Sequence, residues 1–595
     1  MIKISVLVCL LLCSCCFVNS SGQDPGSLLS LKSSIEQYLN NGTQPLNLTA
    51  ALQGIEFPHL FRRDTDVSLF NKDFTCLTCD VLVNLLLVQF WAGIDKQTLA
   101  NEVIFICTAT KIEDQAVCSG LVQENLDIFE YIAKNDKKFN GHRVCGLLLQ
   151  KFDCYPDKSD WKISIPPRGH TKKKAVSTDT FNILHITDIH LDPRYTEGKK
   201  VDCGEPLCCQ DDQKTADVGD RPCGYWSEYL HVDTPVHLLE EVIAQSGVHD
   251  FDYVYMTGDL VSHRVWETSI EGNTETITRT YDLLLQNYHV PIFPVLGNHE
   301  AHPVNQYSEI GEESSFSMQW LFSLFAKKWS KRVSGEDTIM KGGFYTVSPR
   351  KGFRIVSLNN NVCYSSNWWL LLNDNDPYDQ LKWLVEVLLK AEENDEVVHL
   401  LGHVPPGADC HKPWSREFNR IIERFSHIVA AQFYGHTHMD EFYIHYNSSN
   451  ELEAIGVGFN GASVNTDLSN PSYKIYTVDS IAYNVVDMFQ YTFNLTLANE
   501  DPVADPQWYT QYSFKSAYGL SSMQPMDMDA LVIRMARNHS LLDQQFRYTY
   551  RDSDWAYQRG CDHTCRKKLL CTMVTTDASR TTKCKSILGI YDDNV

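Results

Sequence analysis

The sequence predicts an α/β domain carrying a helical, disulfide-bearing part on either side, and three observations carry that prediction. Short apolar runs, "FNILHIT" (181–187), "FDYVYMTG" (251–258), "PIFPVLG" (291–297), "FRIVSLN" (353–359), "EVVHLLG" (396–402) and "HIVAAQFYG" (427–435), alternate with helical stretches. Strands buried on both faces read this way, and helices between them mark an α/β architecture. Upstream, Cys76, Cys79, Cys107, Cys118, Cys145 and Cys154 are confined to an amphipathic, helical region. From about residue 485 onward, aromatic residues and helical patterning return, together with Cys561, Cys565, Cys571 and Cys584.

A chain of 595 residues exceeds one ordinary domain and can bury more than one core. The composition, 43% apolar and 21% charged, is that of a folded protein, and the net charge of -23 excludes a nucleic-acid surface, which needs a basic face. Met1-Ile2-Lys3 precedes fifteen mostly apolar residues, Ile4 to Val18. That run is shorter than the roughly 20 residues of a membrane span and has the form of a cleavable signal peptide. No later segment is apolar enough to cross a bilayer. Removing Cys9, Cys13, Cys15 and Cys16 with the signal leaves sixteen cysteines, an even set that reads as disulfides in an exported chain. Acceptor motifs for N-glycosylation at Asn41, Asn47, Asn447, Asn494 and Asn538 agree with that route. The expected organisation is a signal peptide (1–20), an extension (21–71), a helical disulfide domain (72–158), a linker (159–178), the α/β domain (179–484) and a helical subdomain (485–595).

Within the first helical part, "CDVLVNLLLVQFW" (79–91) is apolar all round and must bury against another apolar surface. The paired cysteine spacing there resembles the saposin B-type fold. That resemblance implies Cys76 with Cys154, Cys79 with Cys145 and Cys107 with Cys118. A zinc site at Cys76-x-x-Cys79 is disfavoured, because no matching second Cys-x-x-Cys follows. Residues 159–178, with Pro166-Pro167 and Lys172 to Lys174, read as a semi-rigid linker.

The strand-like runs stop at residues suited to metals: Asp188-Ile189-His190, Gly258-Asp259, Gly297-Asn298-His299-Glu300, Gly402-His403 and Gly435-His436-Thr437-His438. In open α/β sheets ligands bind beyond the carboxyl ends of the strands, so five such ends aim at one crevice. Side chains at i and i+2 of an extended segment point the same way, which explains the Asp188/His190 spacing. This order is similar to the signature of the metallophosphoesterase superfamily. The resemblance implies a calcineurin-like αββα sandwich and Asp188, His190, Asp259, Asn298, His403, His436 and His438 as metal ligands. Two divalent cations with Asp188, Asp259 and a hydroxide leave a net charge of +1, which attracts a phosphodiester. Two zinc ions suit the imidazole-rich set, and the expected chemistry is in-line displacement at phosphorus by an activated hydroxide. His299 and His263 are the nearest histidines outside the ligand set, and each is a candidate to protonate the leaving group.

Coupled to a saposin-like domain, this motif set resembles the acid sphingomyelinase family over nearly the whole chain. That resemblance implies cleavage of membrane sphingomyelin to ceramide and phosphocholine, in lysosomes or outside the cell. It implies further disulfides Cys203–Cys208, Cys209–Cys223, Cys363–Cys410, Cys561–Cys565 and Cys571–Cys584. The physical logic is that extracting a lipid exposes acyl chains at roughly 0.8 kcal/mol per CH₂, and an amphipathic domain at the bilayer surface lowers that cost. A monomer is expected. Two other readings stand beside it: a secreted phosphodiesterase of nucleotides or other soluble diesters, and a lipid-binding protein with an inactive phosphoesterase domain, the latter disfavoured by the intact ligand set. Trp368, Trp369 and Tyr473 are among many aromatics available to a choline group, and none is singled out.

Overall fold

Alternation along the strands decides the layering. In β1 (Thr180–Ile186), Phe181 and Ile183 face one way, Leu184 and Ile186 the other. Phe181 and Ile183 join Tyr255, Phe293, Ile355 and Phe433 in a core between two sheets, while Leu184 and Ile186 pack under the helix Val236–Ser246. The computed structural model describes residues 72–109, 113–156, 159–169, 177–311, 313–329, 335–450 and 452–594. The expected signal peptide, the extension to residue 71, Asn41, Asn47 and the three linker lysines lie outside them.

Beyond β1, the strands are β2 (Tyr253–Met256), β3 (Ile292–Pro294), β4 (Tyr345–Arg350), β5 (Phe353–Ser357) and β6 (Val397–Leu401). There follow β7 (Val429–Tyr434), β8 (Phe442–Tyr446), β9 (Ala454–Asn460), β10 (Ser472–Asp479), β11 (Val485–Thr492) and β12 (Tyr509–Ser513). One sheet runs β12-β11-β10-β1-β2-β3, the other β4-β5-β6-β7-β9-β8. β1, β2 and β3 are mutually parallel, as are β5, β6, β7 and β9. Every apolar run expected to be a strand is one. The strands continue past residue 484, however: β11 and β12 complete the first sheet, and the last helical stretch begins at Phe514. Aromatic residues here, Phe489 and Tyr491 at alternate positions of β11 and Tyr509 and Tyr512 in β12, serve a strand as well as a helix. Helices Pro525–Arg537 and His563–Val574 then cover the β8–β9 end, burying Met528, Leu531 and Leu570 against Ile444 and Phe459.

The first helical part contains α1 (Lys72–Trp91), α2 (Lys96–Ala109), α3 (Gln115–Asn135) and α4 (Gly141–Leu148). Asp114 and Asn140 cap α3 and α4, accepting from the amides of Val117 and Arg143. Disulfides Cys76–Cys154, Cys79–Cys145 and Cys107–Cys118 staple the group, and the other five pairs are also those that the sequence led us to expect. The apolar surface demanded by α1 is partly on the α/β domain. Trp368 to Leu371 enter the same core as Val83, Leu87, Ile132 and Leu148, and Trp368 Nε1 donates to Asn125 Oδ1 at 3.2 Å. Trp368, Trp369 and Tyr473 are therefore buried structural residues rather than faces open to a choline. At Gly120 a Cβ would lie 2.0 Å from the Trp266 carbonyl, so only glycine lets α3 approach this closely.

The linker is a docked strap along the helix Lys412–Phe425 rather than a spacer. Glu417 accepts the amide of Ile163 at 2.9 Å, and Arg424 donates to the carbonyls of Pro166 and Pro167, each at 2.7 Å.

Glu124 of α3 accepts from the Thr268 amide at 2.9 Å and hydroxyl at 3.1 Å, and burial pushes its carboxyl up to about 8. A carboxyl raised in the folded state stabilises it below the unfolded value of 4.5 and loses that contribution as pH climbs through about 8. Thermal denaturation of Glu124→Gln should show a shallower loss of stability between pH 5 and pH 8 than the parent, and an unchanged slope would contradict this reading.

Candidate metal centre

The site lies across the seam where both sheets end. The first sheet supplies Asp188 and His190 after β1, Asp259 after β2 and Asn298 after β3; the second supplies His403 after β6, and His436 and His438 after β7. Loop backbone continues the pairing: Asp188 N donates to Gly258 O and His190 N to Asp259 O, each at 3.0 Å. A side chain at Gly258, whose φ is +94°, would put a Cβ 2.5 Å from Gly297 N, so the β2 and β3 loops touch through bare backbone. Asp188, His190, Asp259, His436 and His438 all adopt positive φ, between 43° and 71°. Such backbone costs about 1–3 kcal/mol per residue and persists where surrounding structure imposes it.

Three groups of potential donors form among the described residues: His190, His263 and His299 make one, and the other two share Asp259. Of these two, Asp188, His190, Asp259 and His438 make the first; Asp259, His403 and His436 make the second, each with ligand atoms within 4.8 Å of one another. Asn298 joins the second group, its Oδ1 lying 2.9 Å from both His403 Nε2 and His436 Nδ1. The Asn298 amide nitrogen donates to Asn305 Oδ1 at 2.8 Å, which turns the oxygen inward.

The donor chemistry fits two cations. His190 Nδ1 faces the Val261 carbonyl at 2.8 Å and must donate to it, leaving Nε2 as a lone pair. That nitrogen sits 2.9 Å from His438 Nε2 and 3.5 Å from Asp259 Oδ2. His403 Nδ1 likewise donates to Thr257 O at 2.6 Å, so Nε2 is the nitrogen that faces Asn298 Oδ1 and, at 3.1 Å, Asp259 Oδ2. Buried acceptors turned toward one another repel unless positive charge lies between them. Burial, reinforced by His263 and His299, holds the His190 imidazole well below its ordinary value, so it stays neutral. Burial also opposes a charged His403, yet Asp259, Asp188 and Glu300 together lift it to about 9. A proton there occupies the place that a cation would take, and metal binding would release it.

His263 and His299 stand beside the first group. His263 stacks on His190 with ring centroids 3.9 Å apart, and His299 meets the same ring edge-on at 4.7 Å. Their surroundings differ. His299 Nδ1 donates to Ser262 O at 3.2 Å, and burial draws its pKa down to about 4. His263 Nδ1 pairs with the fully buried Asp233 Oδ1 at 2.7 Å, and Asn465 donates to the same oxygen at 2.7 Å. Sequence reasoning missed Asp233, which lies thirty residues before His263 in a loop without a spacing motif. It also missed Asn360, whose Oδ1 accepts the His403 amide at 2.7 Å. A polar residue after the "FRIVSLN" strand was the available signal.

Known proteins are similar to this chain in sequence. Residues 181–440 match the family model of calcineurin-like phosphoesterases, and residues 459–588 that of the acid sphingomyelin phosphodiesterase C-terminal region. The sphingomyelin phosphodiesterase of Bos taurus is 34% identical over 534 residues, covering 87% of this chain and 84% of its own. Its Homo sapiens counterpart is 34% identical, covering 87% and 83%. Sphingomyelin phosphodiesterase 1 of Caenorhabditis elegans is 28% identical, covering 84% and 90%. With the metal-suited loops in place on both sheets and this identity across most of both chains, the chain belongs to the sphingomyelin phosphodiesterase family.

Proposed function

We propose that this chain hydrolyses the phosphodiester of sphingomyelin, giving ceramide and phosphocholine, at two zinc ions held by the seven strand-end residues. Asp188, His190 and His438 would hold one ion and Asn298, His403 and His436 the other, with Asp259 within reach of both groups. The observation that carries this reading is the sharing of the buried Asp259 carboxylate by two groups of imidazole, amide and carboxylate donors. Bound as a pair, divalent cations would supply an activated hydroxide and neutralise the phosphodiester.

The chain's own residues supply the rest. His263, its Nδ1–H held by Asp233, keeps the opposite nitrogen turned toward the site, and the buried carboxylate stabilises a protonated ring. His299, drawn to about 4 by burial, is largely neutral above that pH. His263 is therefore the better proton donor to the ceramide oxygen, and His299 the better hydrogen-bonding partner of the phosphoryl group. The names of the relatives support the lipid substrate, and a nucleotide-directed activity finds no support among them.

α1–α4 serve as the saposin-like, bilayer-facing domain. Leu77, Val88 and Trp91 are each at least half exposed and share one face of α1, with Phe105 exposed on α2. No described helix is long and apolar enough to cross a membrane. Eight disulfides support an oxidising compartment, outside the cell or in lysosomes. Deleting residues 72–158 would be an unsuitable test of this domain, because Gln150 binds the loop after His403, donating to Cys410 O at 2.9 Å.

Metal analysis of purified Asp259→Asn or His403→Ala should find less than two zinc ions per chain. Turnover should fall by more than the roughly 100-fold typical of losing an outer partner; full zinc and full activity in either would refute the ligand set. Asp233→Asn should lower kcat roughly 10–100-fold with little change in KM, and the pH profile of kcat should shift; a KM effect alone would remove the orienting role. On sphingomyelin vesicles at pH 5 the parent should release phosphocholine. Trp91→Ser with Phe105→Ser should lose most of that release while cleaving bis(4-nitrophenyl) phosphate at the parental rate. Absence of phosphocholine release by the zinc-loaded parent, beside activity on nucleotide diesters, would overturn the substrate.

A further inference from the structure

The C-terminal region reaches the site through one fully buried cation. Arg551, 0% exposed, donates from Nη1 to the carbonyl of His438 at 2.6 Å and from Nε to the carbonyl of Asn470 at 2.6 Å. Its Nη2 donates to Ser463 Oγ at 3.1 Å and also reaches Ser469 Oγ. Ser463 Oγ stands 3.3 Å from the same His438 carbonyl. The fork therefore ties the loop bearing His438 to the segment 463–470.

That segment touches the other half of the site. Val464 N donates to Thr187 O and Asn465 N to Asp188 O, each at 3.1 Å, and Asn465 Nδ2 donates to Asp233. Two residues beyond His438, the carbonyl of Asp440 accepts from Thr549 Oγ1 at 3.2 Å, two residues before Arg551. His438 has φ +60°, a conformation that relaxes unless it is held.

We infer that Arg551 is a positioning residue for the metal site, holding His438 and the Asp188 loop at the spacing a metal ion requires, so that its loss speeds metal release before it unfolds the protein. The inference rests on the reading of His438 and Asp188 as ligands. A rigid planar fork is what the geometry uses: four acceptor atoms in different directions are met at once, which a lysine ammonium on a flexible stem does not reproduce.

The test loads the full chain with zinc and follows release to a chromogenic chelator, beside thermal denaturation and circular dichroism. Arg551→Lys should release zinc roughly 10-fold or more faster, the size typical of an outer partner, while remaining folded at the assay temperature. Excess zinc should restore part of its turnover. Ser463→Ala removes one tie and should release faster than the parent but slower than Arg551→Lys. Release from folded Arg551→Lys and Ser463→Ala within about twofold of the parent would overturn the inference, even if the melting temperature fell. Should Arg551→Lys fail to fold, Ser463→Ala decides alone, by the same criterion. A parent chain that bound no zinc would instead defeat the ligand reading, and this inference with it.

Discussion

The face-to-face packing of the two sheets is the constraint on which the site depends. Neither sheet owns a complete set of donors: Asp188, His190, Asp259 and Asn298 leave one, His403, His436 and His438 the other. Tyr255, Phe293, Ile355 and Phe433 interdigitate between them. Each such side chain, when fully buried, contributes roughly 1.5–3 kcal/mol, and close packing resists sliding. The separation of the two loop sets is thereby a property of the core. Asp259 can be shared only because that core brings both sets within reach of one carboxylate.

Stability and function pull in opposite directions at the strand ends. Five donors sit in left-handed backbone, and lone pairs face one another in a region almost closed to water. Hydrogen bonds from the frame offset this: Val261, Thr257, Asn360 and Asn305 each fix one donor's orientation. A cation pair would turn the remaining repulsion into attraction, so folding prepares a place that metal binding completes.

The flanking regions are part of the same frame. The turn Trp368–Leu371 is buried among the N-terminal helices, Gln150 holds the loop after His403, and Arg551 holds the loop of His438. Two of the donor loops are thus supported from outside the α/β domain.

Local pattern alone was enough for the strands, and the resemblance of their ends to a known motif pointed to the donors. A strand buried on both faces is an unbroken apolar run whose end is marked by the first Gly, Asp or His, but Asp188 and His190 lie past the end of β1 in left-handed backbone, so the loop and not strand alternation brings them together. The eight disulfides are the pairs that the family resemblance implied. What lay beyond sequence were partners set by register between distant segments: Asp233 against His263, Arg551 against His438 across 113 residues, and the strands β11 and β12 beyond residue 484. No spacing rule links such residues, since their meeting depends on how sheets stack and where loops return. What distinguishes His263 from His299 is likewise tertiary, because the Asp233 carboxylate behind the one and the burial of the other come from elsewhere in the chain.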